Sequence, residues 1–277
     1  MAENSVKDAM GRYNVEVIRK DRRAYNFSSH WIAGDCFHPS LRAELDHVDF
    51  FDVVSCQFAM HYSFESETRA KDFLGNVTHK LRPGGYFIGT TPDARVLYRR
   101  ALNSPDGRTF GNSQYTVAFD EKIKKSEMAN PSDSGSSAYP NATNSKEYEA
   151  PLDDIPMNNG ERYTFSLTEA VDDVPEYIVD PATLVRWCAE FDLELVRMEN
   201  FQEMYEKEQQ QAMKGASGGG GPPPSRESLD EETWQTFGVY MAFVFRKKGH
   251  AQSTRHTCKK FPVRTVDPSR DLIILPN

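Results

Sequence analysis

The chain has 277 residues, 38% of them hydrophobic, with a formal net charge of −8 and a pI near 5.5. This length suits one large α/β domain with insertions or two average domains, and the acidic balance excludes a broad basic surface for nucleic acid. The sequence has no apolar run of roughly eighteen residues or more and no apolar signal core near its start, so neither a membrane-spanning helix nor a secretory signal is predicted. The four cysteines form no C-x-x-C pair, which argues against a zinc knuckle or a disulfide framework.

The first elements in chain order are a helix and two strands. Apolar residues spaced by three or four predict the helix, with Ser5 as its N-cap: Val6, Met10, Tyr13 and Val17. Trp31–Asp35 predicts a short strand that ends in an acid. Phe50–Phe58 is almost continuously apolar, which is typical of a buried strand in a parallel sheet.

A second helix and a strand follow. The helix is predicted by another set of apolar residues at helical spacing: Ala70, Phe73, Leu74, Val77 and Leu81. Arg82–Gly85 is expected to end it, and Tyr86–Thr91 predicts the next strand, which Pro92 ends. Asp93 is placed to cap a further helix. This alternation of strands and helices predicts an α/β fold with a parallel sheet.

The second half of the chain contains two segments of low complexity. Residues 125–160 are rich in Ser, Asn and Pro, and residues 208–232 contain a Gly- and Pro-rich run, so both are expected to be disordered insertions. Between them, Asp180 and Pro181 predict the start of a helix that runs to Phe191, and Leu193–Met198 predicts a strand.

The carboxyl-terminal part begins with Phe237–Phe245, which predicts the last strong strand and an antiparallel end to the sheet. A basic tail, residues 248–277, follows, and we expect it to be disordered rather than a specific RNA site.

Three motifs carry a family resemblance: QFAMHYSFES at 57–66, FIGTTP at 87–92 and VDDVPEY at 171–177. Together with LRPGG at 81–85, they resemble the eukaryotic mRNA cap guanine-N7 methyltransferases. LRPGG alone is weak, because many methyltransferases have it, whereas QFxxHYSFES with VPEY is specific. The resemblance implies one methyltransferase domain over residues 1–247, with the basic tail outside it.

The resemblance also implies a fold and a departure from it. The fold is a Rossmann-like class I methyltransferase fold, α/β, with a mostly parallel sheet and an antiparallel C-terminal strand. The family begins with a glycine-rich loop of the Asp-x-Gly-x-Gly-x-Gly type, which this sequence lacks. We therefore expect the first two strands of the family sheet to be missing and the chain to be truncated at its amino terminus.

By the same resemblance, the guanine of the cap is bound by a carboxylate in the VPEY turn, Glu176, and by His61 and Tyr62 at the tip of a strand. Tyr240 packs near the cap, and Pro92 and Phe165 wall the guanine. S-adenosylmethionine, the implied cofactor, is bound by three residues: Asp35 at the adenine amine, and Gln57 and Tyr62 beside the methionine portion. Neither a catalytic acid or base nor a metal is implied.

The chemistry needs few protein groups. Guanine N7 has an exposed lone pair, so no base must remove a proton, and catalysis depends on orientation. The methylated guanine becomes cationic, so a fixed carboxylate at its edge stabilises the transition state.

Alternatives remain for the residues and for the function. Taken singly, Asp35, His61, Glu176 and Tyr240 each also fit a structural role, and only their joint occurrence favours a site. The implied function is methyl transfer to the guanine cap of mRNA, in the nucleus, with the capped 5′ end as substrate, no membrane, and other capping enzymes or RNA polymerase II machinery as further partners. The alternative is an inactive or weakly active fragment that keeps a partial cap-binding pocket. A methyltransferase for small molecules or other nucleosides fits the VPEY and HYSFES motifs less well.

Overall fold

The computed structural model describes residues 2–19, 27, 29–124, 157–213, 226–249 and 263–275. The chain divides into two compact units: residues 1–54, 68–86 and 246–277 form the first, and residues 55–67 and 87–245 form the second. None of the helices found in those described ranges has the length and apolar character needed to cross a membrane.

The α-helices have the following bounds: Ala2–Val17 (α1), Leu41–Glu44 (α2), Glu67–His79 (α3), Ala94–Asn103 (α4), Pro181–Glu190 (α5), Phe201–Met213 (α6), Glu231–Phe237 (α7) and Pro268–Asp271 (α8). Short 3₁₀ helices span Met60–Glu65 and Arg226–Ser228. Two predicted caps are confirmed, since Asp93 accepts from the Arg95 N–H at the start of α4 and Asp180 accepts from the first N–H groups of α5, where Pro181 takes the first helical position.

The strands have the following bounds: Trp31–Ala33 (β1), Phe51–Gln57 (β2), Leu81–Pro92 (β3), Thr109–Gly111 (β4), Tyr115–Phe119 (β5), Arg162–Leu167 (β6), Val171–Tyr177 (β7), Leu193–Asn200 (β8), Tyr240–Lys247 (β9) and Leu272–Ile274 (β10). They form a two-stranded sheet, β1-β10, and two four-stranded sheets with the orders β2-β3-β9-β8 and β4-β5-β6-β7. The predicted α/β class is confirmed.

The sheet β2-β3-β9-β8 combines both strand directions. The Phe51 N–H donates to the Lys80 carbonyl and the Phe58 N–H donates to the Thr90 carbonyl, so β2 and β3 run parallel. Asp93, directly after β3, donates its N–H to the carbonyl of Val239, directly before β9, so these two strands run in opposite directions. The predicted antiparallel carboxyl-terminal strand is therefore confirmed.

The predicted burial of β2 was wrong. Five of its seven residues are exposed, and the Val53 side chain is 48% exposed. The reason is the strand order, which places β2 at the edge of its sheet, where the described residues provide no neighbour on its outer side.

Several predicted boundaries also move. Helix α1 includes Ser5 in its interior rather than as its N-cap, and α3 ends at His79, so that Leu81 belongs to β3 rather than to the helix. Arg82–Gly85 lies inside β3, because hydrogen bonding to β2 outweighs the poor strand propensity of Pro83 and Gly84. Phe237 ends α7 instead of opening the last strand.

The prediction of disordered insertions is wrong for part of the second insertion, because the structure describes helices there. Residues 125–156 and 214–225 lie outside the described residues, but residues 208–213 continue α6, and residues 226–232 contain a 3₁₀ turn and the start of α7. Strong helix formers, Glu, Lys, Gln and Ala, explain the longer α6. Asp230 caps α7 by accepting from the Thr233 N–H.

The predicted disorder of the basic tail is wrong for residues 263–275, whereas residues 250–262 lie outside the described part. Strand β10 pairs in parallel with β1, with Trp31 opposite Leu272 and Ala33 opposite Ile274. Val266 packs with Met10 and Tyr13 of α1 in a small buried cluster. Apolar burial of Val266 and Leu275 orders this segment despite its basic composition.

The antiparallel sheet β4-β5-β6-β7 was not predicted from the sequence. Its buried face forms a hydrophobic core with α4; the buried side chains include Leu97, Tyr98, Val117, Phe119, Tyr163 and Phe165. Strand β7 contains the VPEY motif, which is therefore strand rather than the predicted turn. This sheet positions the site described next.

Candidate binding site around Glu176

Glu176 is a buried carboxylate on an edge strand. It lies in β7, directly opposite Tyr163 of β6, and only 4% of the residue is exposed. Side chains directly opposite each other on paired strands share a face of the sheet, so the register brings Tyr163 and Glu176 together. Pro175, which has no N–H, is tolerated because β7 is at the edge of its sheet.

Three groups surround the Glu176 carboxylate. The Tyr163 hydroxyl donates to Oε2 at 2.8 Å, and the Tyr62 hydroxyl donates to Oε1 at 3.2 Å. The His61 Nε2 atom lies 3.1 Å from the same Oε1. Burial and the charge of Glu176 raise the pKa of both tyrosines, so both hydroxyls remain donors at neutral pH. We call these four residues, together with Tyr240, the Glu176 cluster.

The 3₁₀ helix Met60–Glu65 carries His61 and Tyr62 into the cluster. It follows Phe58, whose φ of 52° turns the chain sharply at the end of β2. The Ser63 hydroxyl donates to the Met60 carbonyl, and the Phe64 ring packs against Trp187 with centroids 5.6 Å apart. These contacts anchor the turn and fix the direction of the two cluster residues.

His61 has two buried ring nitrogens that lack a hydrogen-bond partner among the described residues. It is 2% exposed, and within the described residues neither ring nitrogen has a hydrogen-bond partner of good geometry, although Nε2 is close to Glu176. A buried polar group without a partner is costly in a native fold and often marks a ligand position. This is the observation that most favours a binding site here.

Aromatic rings form the walls of the cluster. Tyr240 in β9 packs edge-on against Phe58 at 5.0 Å and against Phe165 at 6.4 Å between ring centroids. Burial, and then the charge of Glu176, raise the Tyr240 pKa, which places this hydroxyl in the same electrostatic environment. Tyr62 and Tyr240 are both partly exposed, so the cluster reaches solvent through them.

The structure therefore brings together most of the predicted guanine-binding residues. Glu176, His61 and Tyr62 are in direct contact, and Tyr240 contacts Phe165. Pro92 is buried at the end of β3, next to Asp93, whose N–H donates to Val239 beside Tyr240.

Sequence reasoning missed Tyr163 and Phe58 in this cluster. The strand period of two places Tyr163 on the same face as Phe165, which was a usable signal. Phe58 was visible in the QFxxHYSFES motif, but its contact with Tyr240 depends on the fold.

The predicted cofactor residues Asp35 and Gln57 are not part of this cluster. Asp35 belongs to the first unit and is exposed; its Oδ1 accepts from the Phe37 N–H at 3.0 Å and its Oδ2 from Arg69 Nη2 at 2.8 Å. The Phe37 ring packs on Phe73 of α3, which holds this loop. Gln57 is exposed and donates to the Ser55 hydroxyl at 2.9 Å.

The polar side chains of Asp35 and Gln57 each fit one part of the expected cofactor. An exposed carboxylate retains lone pairs for an adenine amine, and an exposed amide suits the polar methionine portion. The sequence offers no counterpart of the glycine-rich loop. Within the part of the chain that the structure describes, no group of three or more His, Cys, Asp or Glu side chains is placed to hold a metal ion.

A family model described as the mRNA (guanine-N(7))-methyltransferase domain matches residues 1–248. The mRNA cap guanine-N(7) methyltransferase 1 of Oryza sativa subsp. japonica is 36% identical over 261 residues, which are 92% of this chain and 63% of that protein. The protein of the same name from Arabidopsis thaliana is 35% identical over 266 residues, 94% of this chain and 65% of that protein. The chain thus spans less than two thirds of the length of these relatives.

Among solved structures, an S-adenosylmethionine-dependent methyltransferase from Clostridium acetobutylicum aligns with a TM-score of 0.36 and 9% identity, over 78% of this chain and 64% of that one. That degree of similarity is too low to carry an argument about the site.

Proposed function

Because the chain belongs to the mRNA (guanine-N(7))-methyltransferase family, we propose that it transfers a methyl group from S-adenosylmethionine to N7 of the guanine cap of mRNA. The observation that carries the proposal is the Glu176 cluster, in which the buried carboxylate lies 3.1 Å from a buried histidine that makes no hydrogen bond of good geometry among the described residues. Residues 1–247 would form the methyltransferase domain, of the Rossmann-like class I type expected for this family.

In the proposed complex, Glu176 recognises the edge of the guanine. Guanine presents two adjacent donors, N1–H and the exocyclic amine, and an ionised carboxylate accepts from both. Adenine presents an acceptor in place of N1–H, so the same carboxylate would repel it. The ring nitrogens of His61, which have no hydrogen-bond partner among the described residues, would supply a further hydrogen bond at the rim of the base.

Glu176 also contributes to catalysis in this proposal. S-adenosylmethionine, when bound, supplies a methyl group that is already activated by the positive sulfonium. Guanine gains positive charge as N7 accepts the methyl group, and a buried carboxylate at the opposite edge stabilises that charge in a medium of low dielectric constant. No side chain needs to remove a proton, so the remaining task is orientation.

Aromatic side chains would orient the base. Tyr240 and Phe165 are in edge-on contact, and Pro92 lies at the end of β3, which pairs with the strand of Tyr240; in the proposed complex, these three residues would form an apolar wall for the base. A planar base packed on such a wall loses rotational freedom and excludes water. Gln57 and Tyr62, which belong to the same unit, would hold the methionine portion of the cofactor.

The wider setting follows from the same proposal. The substrate would be the capped 5′ end of mRNA, which makes the protein RNA-binding and places its work in the nucleus with other capping enzymes or RNA polymerase II machinery. The acidic balance of the chain favours recognition of the cap over broad contact with the RNA backbone.

A second candidate is cap binding with little or no methyl transfer. The Glu176 cluster favours it, because all of its residues are assembled within one unit and recognition of the guanine needs only those residues. Calorimetry with S-adenosylhomocysteine separates the two candidates, because this second one predicts weak affinity for the cofactor product alongside normal affinity for the cap analogue GpppA.

The decisive experiment is methyl transfer from labelled S-adenosylmethionine to RNA. The purified chain is incubated with a GpppA-capped RNA and, as a control, with the same RNA carrying a 5′ triphosphate. Label that appears at guanine N7 only in the capped RNA supports the proposed activity. Binding of GpppA without transfer supports the second candidate, and failure to bind GpppA contradicts both.

A further inference from the structure

Tyr163 has a different position from the other aromatic residues of the Glu176 cluster. It is 0% exposed, and its ring packs in the core of the antiparallel sheet, with its centroid 5.7 Å from that of Phe119. Tyr62 and Tyr240 are partly exposed. Tyr163 therefore contacts Glu176 from the interior of the protein, whereas Tyr62 and Tyr240 lie on the partly exposed side of the cluster.

The two oxygens of Glu176 are consequently not equivalent. Oε2 accepts from the Tyr163 hydroxyl at 2.8 Å, and Oε1 faces Tyr62 and His61. The shorter bond comes from the fully buried residue, Tyr163, which the register of β6 and β7 places directly opposite Glu176. The pairing of β6 with β7 therefore holds Oε2 of Glu176 in place, whereas Oε1 faces the partly exposed side of the cluster.

From this geometry we propose that Tyr163 is a positioning residue, which holds the Glu176 carboxylate in the orientation and charge state that guanine recognition requires. This inference deepens the proposed function and rests on it. Tyr163 itself would not contact the guanine. Its hydroxyl would act only through Glu176, by fixing Oε2 and by stabilising the negative charge of a carboxylate that is removed from water.

The charged and titratable groups around Glu176 support this role. Tyr62 and His61 face it from the 3₁₀ helix, Tyr163 from β6, and Tyr240 from β9. His61 makes no hydrogen bond of good geometry to the carboxylate among the described residues. Of the hydrogen bonds that Glu176 accepts from Tyr163 and Tyr62, the bond from Tyr163 is thus the shorter. Loss of the Tyr163 hydroxyl would leave the buried Oε2 atom of Glu176 without this donor.

The test replaces Tyr163 by phenylalanine, which keeps the ring and removes the hydroxyl. Tyr98→Phe is the matched control: Tyr98 is also buried in the core of this sheet, and its hydroxyl also donates to a glutamate, Glu161, outside the cluster. Both variants lose a tyrosine–carboxylate hydrogen bond, and Tyr98→Phe also loses the bond that its hydroxyl accepts from the Asn158 N–H, so its melting temperature is expected to fall at least as far as that of Tyr163→Phe.

Only Tyr163→Phe should affect the site. A hydrogen bond to a charged group corresponds to roughly ten- to a hundredfold in affinity, so the Kd for GpppA and the KM for capped RNA are expected to rise by that factor. The ¹³C resonance of the Glu176 carboxyl at neutral pH, assigned by its absence in Glu176→Gln, should also shift.

Three results would contradict either the positioning role of Tyr163 or the proposed function on which that role rests. If Tyr163→Phe and Tyr98→Phe bind GpppA equally well, Tyr163 is only structural and the positioning role is wrong. An unchanged carboxyl resonance in Tyr163→Phe likewise contradicts it. Failure of the unmodified chain to bind GpppA contradicts the proposed function and guanine as the ligand, and the carboxyl resonance then still decides whether Tyr163 holds Glu176.

Discussion

Asn14 and Val266, which are 252 residues apart in the sequence, are joined by two hydrogen bonds. The Asn14 side-chain amide donates to the Val266 carbonyl at 2.7 Å, and its amide oxygen accepts from the Val266 N–H at 2.7 Å. One side chain thus satisfies both backbone groups of a residue that is only 7% exposed. This pair fastens the carboxyl-terminal segment 263–275 to α1.

Asn14→Ala should therefore destabilise the chain by about 2 kcal/mol, because two backbone groups of a buried residue lose their partners. The free energy of unfolding, measured by urea denaturation, gives the value. Asn4→Ala, at an exposed position of the same helix, is the control and should change stability by less than about 0.5 kcal/mol. Equal stability of the two variants would show that the carboxyl-terminal segment is not held by Asn14.

Gly34→Ala should also destabilise the attachment of this segment. A Cβ atom at Gly34, where φ is 153°, would lie 2.5 Å from Cβ of Leu275, and such overpacking costs about 1–3 kcal/mol. Gly11→Ala is the matched control, because nothing lies within 4 Å of its added Cβ in α1, and it should stabilise the helix by about 0.5–1 kcal/mol. Thermal unfolding measures whether Gly34→Ala lowers the melting temperature and Gly11→Ala raises it. An unchanged melting temperature of Gly34→Ala would contradict the close contact between Gly34 and Leu275.

Asp93 should make stability depend on pH. Burial opposes its charge, but Arg95 and a hydrogen bond from Asn200 outweigh burial and hold the pKa of the carboxyl below its ordinary value of 3.8. The unfolded chain therefore binds this proton more tightly, so the stabilisation is complete well above pH 3.8 and is lost as the pH falls through the lower, folded-state value.

The measurement for Asp93 is the free energy of unfolding between pH 7 and pH 3. Asp93→Asn keeps a capping oxygen but loses the ion pair with Arg95, and should cost about 2–3 kcal/mol at pH 7 and flatten the acid dependence. Asp120→Asn removes an exposed ion pair with Arg162 and should cost less than about 0.5 kcal/mol. Parallel pH profiles for the Asp93 variant and the unmodified chain would refute the assignment.

Glu176→Gln should lower methyl transfer strongly. It keeps the shape of the side chain but removes the negative charge and places an amide where guanine presents donors, so the loss is about 2–4 kcal/mol, or roughly 30- to 1,000-fold in rate. Transfer from labelled cofactor to GpppA-capped RNA measures it. Glu194→Gln, on the exposed side of β8, removes the same charge and should retain the full rate. Near-full activity of the Glu176 variant would mean that the cluster is only structural.

The sequence by itself determined the family motifs, the α/β class and the positions of about half of the helices and strands, namely α1, α3, α4, α5, β1, β2, β3, β8 and β9. These features depend on local chemistry: apolar residues at helical spacing predict α3, and Asp93 and Asp180 predict the starts of α4 and α5, because a cap needs only a few neighbouring residues. His61, Tyr62 and Glu176 were also identified from their motifs before any contact between them was known.

Only the tertiary structure decided which of these residues meet. The pairing of Tyr163 with Glu176 depends on the register of β6 and β7, and a shift of one residue would have turned Tyr163 to the other face. The pairing of β1 with β10 joins two strands that are far apart in the sequence. The basic composition of the tail favours disorder, so the composition alone does not predict this pairing. Such contacts leave no local signature, because the partner that stabilises each strand is distant in the sequence and is supplied by folding alone.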